Sequence, residues 1–166
     1  MKLFLASVDD TARLAQTIAT DVRPSDMIVL AGEMGTGKTT FVQSFGRALG
    51  VTDPITSPTF NLLHNYGSGR MAVHHADLYR LERTGELADL GLDELQETGG
   101  IVVVEWGDVV GDELGSALII RFTHATDVNA TESRTVEIVP RGNQWSSRWP
   151  RLSEVLGTMF TKSVRG

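Results

Sequence analysis

The sequence predicts an α/β domain whose mainly parallel sheet is flanked by helices, with antiparallel strands towards the C-terminus. Three observations lead to this fold class. Apolar segments of strand length alternate with segments of helical periodicity along the 166 residues. The runs "MIVLA" and "IVVVE" have no polar face, which is typical of buried parallel strands. A glycine-rich loop follows the first of these runs directly and leads into an amphipathic segment.

The first half of the chain predicts two strand–helix units. "MKLFLA" is expected to form a short edge strand. A helix should follow, because Ser7 and Asp10 have capping-box spacing and apolar residues recur every three or four positions. Pro24 should end this helix, and "MIVLAG" should form the next strand. The helix after the glycine loop should end at Gly50, a natural C-cap.

The second half predicts further strands and short helices. A strand is expected from Phe60 to Asn65, and another in "MAVHHADLYRL" should end near His75 or Ala76. Short helices should lie between Glu86 and Thr98, before the strand "IVVVEW". "ALIIRFTH" and "RTVEIVPRG" predict two paired strands, and "RWPRLSEVLGTMF" predicts a final helix. We expect residues 1–166 to form a single domain.

Composition excludes several classes of function. The chain has no cysteine, which excludes disulfides, thiolate catalysis and cysteine-based zinc sites. No apolar run approaches the roughly 18 residues of a membrane helix. The apolar segment at the N-terminus is too short for the hydrophobic region of a signal peptide. We therefore expect a cytoplasmic protein. A net charge of -6 argues against a protein that binds nucleic acid unaided.

Charge is distributed unevenly along the chain. Residues 82–113 contain ten acidic residues and one arginine, whereas residues 134–166 contain six basic and two acidic residues. Two interpretations stay open on this pattern alone. The charges form ordinary solvated faces, or they form an acidic docking face and a basic tail.

The loop "GEMGTGKTT", Gly32 to Thr40, fits the phosphate-binding pattern G-x-x-x-x-G-K-[ST]. Its glycines permit positive φ, so that successive N–H groups can surround an anion at the start of a helix. Lys38 should reach the β- and γ-phosphates, and the Thr39 hydroxyl should bind Mg²⁺. The loop residues expected to contact the nucleotide are Glu33, Met34, Gly35, Thr36, Gly37, Lys38, Thr39 and Thr40.

Two acidic residues at predicted strand ends are candidates for the rest of the site. Glu105 ends the buried run "IVVVE" and should complete the Mg²⁺ site as a catalytic residue. Asp77 follows another strand and should either position the attacking water or support the metal; alternatively it caps the following turn. Trp106 either belongs to the core or covers the metal site.

Four other polar positions are candidates from their place in the chain. Ser57 and Thr59 in "TSPTF" are candidate hydroxyls of a segment that senses the γ-phosphate, and the alternative is a simple proline turn. His74 and His75 should point to opposite faces of their strand, so that one is buried and the other points towards the site.

Four blocks in order resemble the TsaE (YjeE) family, the bacterial P-loop ATPases of tRNA threonylcarbamoyladenosine biosynthesis. They are "GEMGTGKTTF", "SPTF", "HADLYRL" and "VVEWGD", and "LGLDEL" before the last block also resembles the family. Together they span most of residues 32–108. After Thr123 the resemblance is weak.

The resemblance implies an ATPase that acts with the TsaB–TsaD pair and meets tRNA through that complex. It implies ATP and Mg²⁺ as cofactors, with Lys38 and Thr39 at the phosphates and metal, Glu105 at the metal, and Asp77 needed for hydrolysis. It also places Thr11 near the adenine end of the nucleotide and Arg134 near the nucleotide.

Two other functions are weighed against this one. A small-molecule or nucleoside kinase would share the loop but would normally need a second substrate pocket and lid arginines, and the sequence contains no evident arginine cluster. A GTPase switch would need a guanine-reading N-K-x-D, which the sequence lacks.

Overall fold

A computed structural model describes residues 1–58, 62–81, 84–106, 111–125 and 131–161. The strands are β1 Lys2–Leu5, β2 Met27–Ala31, β3 Leu63–Tyr66, β4 Val73–Asp77, β5 Ile101–Glu105, β6 Ala117–His124 and β7 Arg134–Arg141. The helices are α1 Val8–Asp21, α2 Lys38–Ala48, α3 Thr84–Asp89, α4 Leu92–Glu97, α5 Asn143–Ser146 and α6 Trp149–Thr161. A short 3₁₀ helix covers Gly111–Leu114.

The described strands form one seven-stranded sheet in the order β1-β7-β6-β2-β5-β4-β3. Neighbours are parallel from β6 through β2 and β5 to β4. The pairs β1–β7, β6–β7 and β3–β4 are antiparallel. The predicted fold class is therefore confirmed, and antiparallel strands lie at both edges rather than only towards the C-terminus. At the β3 edge the connection to β4 is too short for a parallel crossover.

Helices cover both faces of the sheet and bury its apolar residues. One cluster joins the sheet to α1, α2 and α6 through residues such as Leu14, Phe41 and Leu156. A second cluster on the opposite face includes Val104, Leu78 and the α4 residue Leu92. β2 and β5 are buried at every position, as their apolar runs predict.

The helix ends largely follow the sequence prediction. The Ser7 hydroxyl accepts from the Asp10 N–H at 3.3 Å, which confirms Ser7 as the N-cap of α1. In a capping box the Asp10 carboxylate would accept from the backbone N–H of Ser7. Here it accepts from the backbone N–H of Ala6 instead, at 2.9 Å. Gly50 has φ 87° directly after the α2 cap Leu49, as expected for a glycine that ends a helix.

Some boundaries were not predicted. β4 continues through Asp77, so this acid is the last residue of its strand and not the residue after it. β3 begins at Leu63, and the first two residues of the strand expected from Phe60 lie outside the described residues. α5 was not predicted. Within the described part of the chain, no helix combines the length and the hydropathy needed to span a membrane.

A buried ion pair fixes the start of β2 to the C-terminal helices. Arg148 donates to both carboxylate oxygens of Asp26, at 2.9 and 2.7 Å, and to the Asp21 carbonyl at 2.8 Å. Its guanidinium lies 4.1 Å from the centre of the Trp145 ring. Asp26 immediately precedes β2, so this cluster supports the strand that leads into the glycine loop.

We expect Arg148→Ala to lower the free energy of unfolding by about 3–5 kcal/mol, because the change leaves the Asp26 carboxylate buried without its partner. Urea denaturation measures the loss. Arg151→Ala is the matched control, since that side chain is 80% exposed and contacts Asp21 at 3.4 Å; its effect should stay within about 0.5 kcal/mol. Equal losses in the two variants would contradict the structural role of Arg148.

Candidate nucleotide-binding site

The parallel strands bring three chain segments to one edge of the sheet. β5 lies between β2 and β4, and its last residue Glu105 is level with Leu30 of β2 and Asp77 of β4. The glycine loop begins immediately after β2, at Gly32. Because all three strands end at this edge, the loop and both predicted carboxylates face a common space.

The backbone of the glycine loop has the conformation that its sequence predicts. Gly32, Gly35 and Gly37 have φ values of 132°, 76° and 105°, which other residues rarely adopt. At Gly32 a side chain would also collide with the carbonyl oxygen of Phe122 on β6. Gly37 is the N-cap of α2, so the loop leads directly to the positive end of a helix.

Lys38 lies at the base of the loop and is 5% exposed. Its Nζ donates to the carbonyl oxygens of Gly32 at 2.6 Å and Glu33 at 2.8 Å. It also lies 4.0 Å from the centre of the Trp106 ring. The ammonium group is therefore held beneath the loop with little freedom, next to the position where an anion would meet the helix N-terminus.

Trp106 reaches Lys38 because the chain turns sharply after β5. Its φ of 61° is uncommon for a residue with a side chain. Its N–H donates to the Leu30 carbonyl at 2.8 Å, which ties the turn to β2. Tyr79 packs against the tryptophan with ring centres 4.9 Å apart. Trp106 therefore lines the site, and it also contacts the second apolar cluster.

The two carboxylates share a hydroxyl network. Thr39 Oγ1 donates to Glu105 Oε1 at 3.0 Å, and Ser57 Oγ donates to Asp77 Oδ2 at 2.9 Å. The same Ser57 hydroxyl lies 3.5 Å from Glu105 Oε2. Asp77 also accepts from the Tyr79 N–H at 2.9 Å, so it caps the following turn as well as facing the site. Oxygen donors of this kind suit a hard divalent cation such as Mg²⁺.

The two histidines of β4 have different surroundings, as their alternation predicts. His75 is fully buried behind Glu105, with its Nε2 3.2 Å from Glu105 Oε2. His74 Nδ1 lies 2.7 Å from Asn65 Oδ1 on β3, and burial lowers the pKa of His74. Both histidines are buried, and His75 is the one next to a carboxylate of the site.

The glycine loop and the segments around Ser57, Asp77 and Glu105 line a cavity of about 460 Å³. From the glycine loop it is lined by Met34, Gly35, Gly37, Lys38, Thr39 and Thr40. From the other segments, the predicted residues Ser57, Asp77, Glu105 and Trp106 line it. The structure thus brings together the predicted phosphate, metal and water groups around one space.

The other predicted positions either do not line the cavity or lie outside the described residues. Thr36 is buried and its hydroxyl donates to the Glu33 carbonyl at 2.7 Å, so both residues shape the loop without lining the cavity. Thr11 is buried in the first turn of α1 and does not line the cavity. Arg134 lies against the outer side of the loop. Thr59 lies outside the described residues.

Besides Pro58 and Leu62, sequence reasoning missed two residues of the cavity wall that follow Asp77, namely Tyr79 and Arg80. Both belong to "HADLYRL", directly after Asp77, so the spacing from the strand end could have identified them. Arg80 is exposed and brings a positive charge to the mouth of the cavity. In the described part of the chain no three acidic or histidine side chains form a metal cage. A Mg²⁺ site completed by phosphate oxygens does not require one.

Comparison with known proteins agrees with this fold. Residues 5–136 match the family model described as "Threonylcarbamoyl adenosine biosynthesis protein TsaE". A crystal structure of YdiB from Bacillus subtilis superimposes with a TM-score of 0.77 and 28% identity, covering 93% of this chain and 94% of that one.

Curated relatives carry the same family name, tRNA threonylcarbamoyladenosine biosynthesis protein TsaE. The protein from Nostoc sp. is 36% identical over 143 residues, which is 84% of this chain and 85% of the relative. The protein from Bacillus subtilis is 38% identical over 106 residues, which is 64% of this chain and 66% of the relative. The family match covers both the glycine loop and the two strand-end carboxylates, and the chain therefore belongs to the TsaE family.

Proposed function

We propose that this protein is a Mg²⁺-dependent, ATP-binding and ATP-hydrolysing component required for threonylcarbamoyl modification of the tRNA adenosine next to the anticodon. The observation that carries the proposal is the meeting of Lys38, the Thr39–Glu105 pair and Asp77 around one cavity. Membership of the TsaE family indicates the pathway in which the protein acts, tRNA threonylcarbamoyladenosine biosynthesis. We further propose that residues 1–166 act as one domain in the cytoplasm and meet tRNA through a TsaB–TsaD complex.

The loop and the helix N-terminus fit a nucleoside triphosphate. Positive φ at Gly35 and Gly37 turns backbone N–H groups towards a bound anion, and the α2 dipole favours negative charge there. Lys38 would exchange its contacts with the Gly32 and Glu33 carbonyls for phosphate oxygens. Thr11 remains our prediction for the adenine end.

Thr39 and Glu105 are the residues that would hold Mg²⁺. Their side-chain oxygens already lie 3.0 Å apart, so little rearrangement is needed for both to face one cation. When bound, Mg²⁺ would neutralise phosphate charge and orient the terminal phosphoryl group. His75, buried behind Glu105, limits where that carboxylate can move.

Asp77 is the residue we assign to the attacking water. Its Oδ1 is held by the Tyr79 N–H and its Oδ2 by the Ser57 hydroxyl, so the carboxylate has a defined orientation on the cavity wall. From this position it can accept a hydrogen bond from water and align it for in-line attack. Ser57 connects Asp77 with Glu105 and is our candidate sensor of the terminal phosphate. Thr59 is its predicted companion.

We expect slow ATP hydrolysis by the isolated protein and faster hydrolysis with TsaB–TsaD. An arginine supplied in trans can raise the rate of phosphoryl transfer by about 10³–10⁵. Phosphate release should be measured with MgATP, with and without the pair, and with MgGTP in parallel. Equal turnover with and without TsaB–TsaD would contradict the partnership, and equal use of GTP would contradict the assignment to ATP.

A small-molecule or nucleoside kinase is the second candidate. The observation that favours it is Arg80, because P-loop kinases often place arginines over the transferred phosphate and Arg80 lines this cavity. Phosphate release without any acceptor distinguishes the two functions. An ATPase releases phosphate under these conditions, whereas a kinase requires the acceptor for turnover.

A further inference from the structure

We infer that Arg134 is a positioning residue that holds the glycine loop from its carbonyl side, and this inference rests on the proposed nucleotide-binding function. Arg134 Nε donates to the Thr36 carbonyl at 3.1 Å, and its Nη2 donates to the Gly35 carbonyl at 3.2 Å. The planar guanidinium therefore spans two consecutive peptide units of the loop. These contacts join residues 98 and 99 positions apart in the chain.

The arginine is itself anchored to the sheet. Arg134 is the first residue of β7, where it is paired with Leu5 of β1 and His124 of β6. Its Nη1 donates to the carbonyls of Thr131 at 2.8 Å and Ser133 at 2.7 Å. Because the same guanidinium binds both the loop and the segment that leads into β7, it ties the loop to this end of the sheet.

The orientation of the two loop carbonyls determines where their peptide N–H groups point. In a trans peptide unit the N–H lies opposite the C=O. Holding the Gly35 and Thr36 carbonyls towards Arg134 therefore directs the N–H groups of Thr36 and Gly37 away from it. The Thr36 N–H makes only a long contact, 3.4 Å, with the Glu33 carbonyl. Both N–H groups are thus oriented in advance to meet a phosphate.

Arginine suits this task better than lysine. Its fixed fork of donors can bind several carbonyls at once, whereas an ammonium group is a compact point charge on a flexible stem. Each of the four hydrogen bonds that Arg134 donates within the described residues goes to a carbonyl oxygen.

Arg134 does not line the cavity in the described part of the chain. It would therefore act on a nucleotide through the loop.

The first test uses the nucleotide-free protein. Backbone amide relaxation of Gly35, Thr36 and Gly37 should be measured by NMR in wild type, Arg134→Ala, Arg134→Lys and Arg121→Ala. We expect order parameters in the loop to fall from about 0.85 towards 0.6 or below in both Arg134 variants. Arg121→Ala is the matched control, because this arginine lies on β6 and its side chain is 50% exposed. Unchanged loop order in Arg134→Ala would overturn the inference.

The second test compares ADP with inorganic pyrophosphate by calorimetry. If Arg134 orients the loop N–H groups, both ligands should lose affinity by the same factor, about tenfold, in Arg134→Ala. Arg134→Lys should restore little, which separates loop geometry from charge. A loss confined to ADP would indicate direct contact with the nucleoside and would overturn the inference. If wild type binds neither ligand, the proposed function fails, and the relaxation measurement alone decides whether Arg134 holds the loop.

Discussion

Lys38→Ala is expected to abolish ATP hydrolysis, with a fall in turnover of at least about 10²–10³-fold. The Lys38 ammonium group is buried under the loop, within 2.8 Å of two loop carbonyls and 4.0 Å from the centre of the Trp106 ring. Among the described residues that line the cavity, the other basic side chain is Arg80, which comes from the segment after β4 and not from the loop. We therefore expect that nothing replaces the charge of Lys38 at the β- and γ-phosphates. Phosphate release under saturating MgATP measures this effect.

The matched control is Lys2→Ala, which removes the same side chain from the exposed edge strand β1. Its turnover should equal that of wild type. Lys38→Ala should also retain a cooperative thermal unfolding transition, because the loop conformation depends chiefly on its glycines and on Arg134. If turnover of Lys38→Ala stayed within about threefold of wild type, the proposed contact between Lys38 and the phosphates would be excluded.

Glu105→Ala is expected to weaken the Mg²⁺ dependence of ATP binding and to lower turnover by about 10²-fold or more. Glu105 is 2% exposed and its Oε1 accepts from the Thr39 hydroxyl at 3.0 Å. In the proposed site, loss of this carboxylate would leave Thr39 as the principal protein ligand for the cation. ATP affinity should be titrated against Mg²⁺ concentration in wild type and variant, and an unchanged titration would exclude Glu105 from the metal site.

Two further variants separate metal binding from other effects. Glu137→Gln removes an exposed carboxylate from β7 and should leave the Mg²⁺ titration unchanged. Asp77→Asn keeps the shape of the side chain while removing its charge, so turnover should fall while Mg²⁺-dependent ATP binding persists. If Asp77→Asn changed the titration as strongly as Glu105→Ala, Asp77 would be a metal ligand in place of a water-positioning group.

The local features of the site could be predicted from sequence because they depend on short-range spacing. The loop from Gly32 to Thr40 needs glycines at fixed intervals, and the structure has positive φ at three of them. Glu105 and Asp77 each end a recognisable strand. Tyr79 and Arg80 were missed because a strand-end pattern identifies the first polar residue and says little about the turn that follows.

The tertiary structure decided which of these features meet. Only the strand order places β5 between β2 and β4, and this order sets Glu105 between Thr39 and Asp77. The left-handed turn at Trp106 brings its ring over Lys38, although the sequence allowed it to be an ordinary core residue. One of the two adjacent histidines was predicted to point to the site, and only the structure shows that His75 is the one beside Glu105.

By itself, the sequence determined the fold class, the phosphate loop and the chemical types available at two strand ends, because each depends on residues within a few positions of one another. The tertiary structure decided the contacts between distant segments. Arg134 is the clearest case, since nothing in "RTVEIVPRG" indicates that its guanidinium lies on the Gly35 and Thr36 carbonyls. Such contacts depend on strand order and register, which are set by packing of the whole core and not by the spacing of any motif.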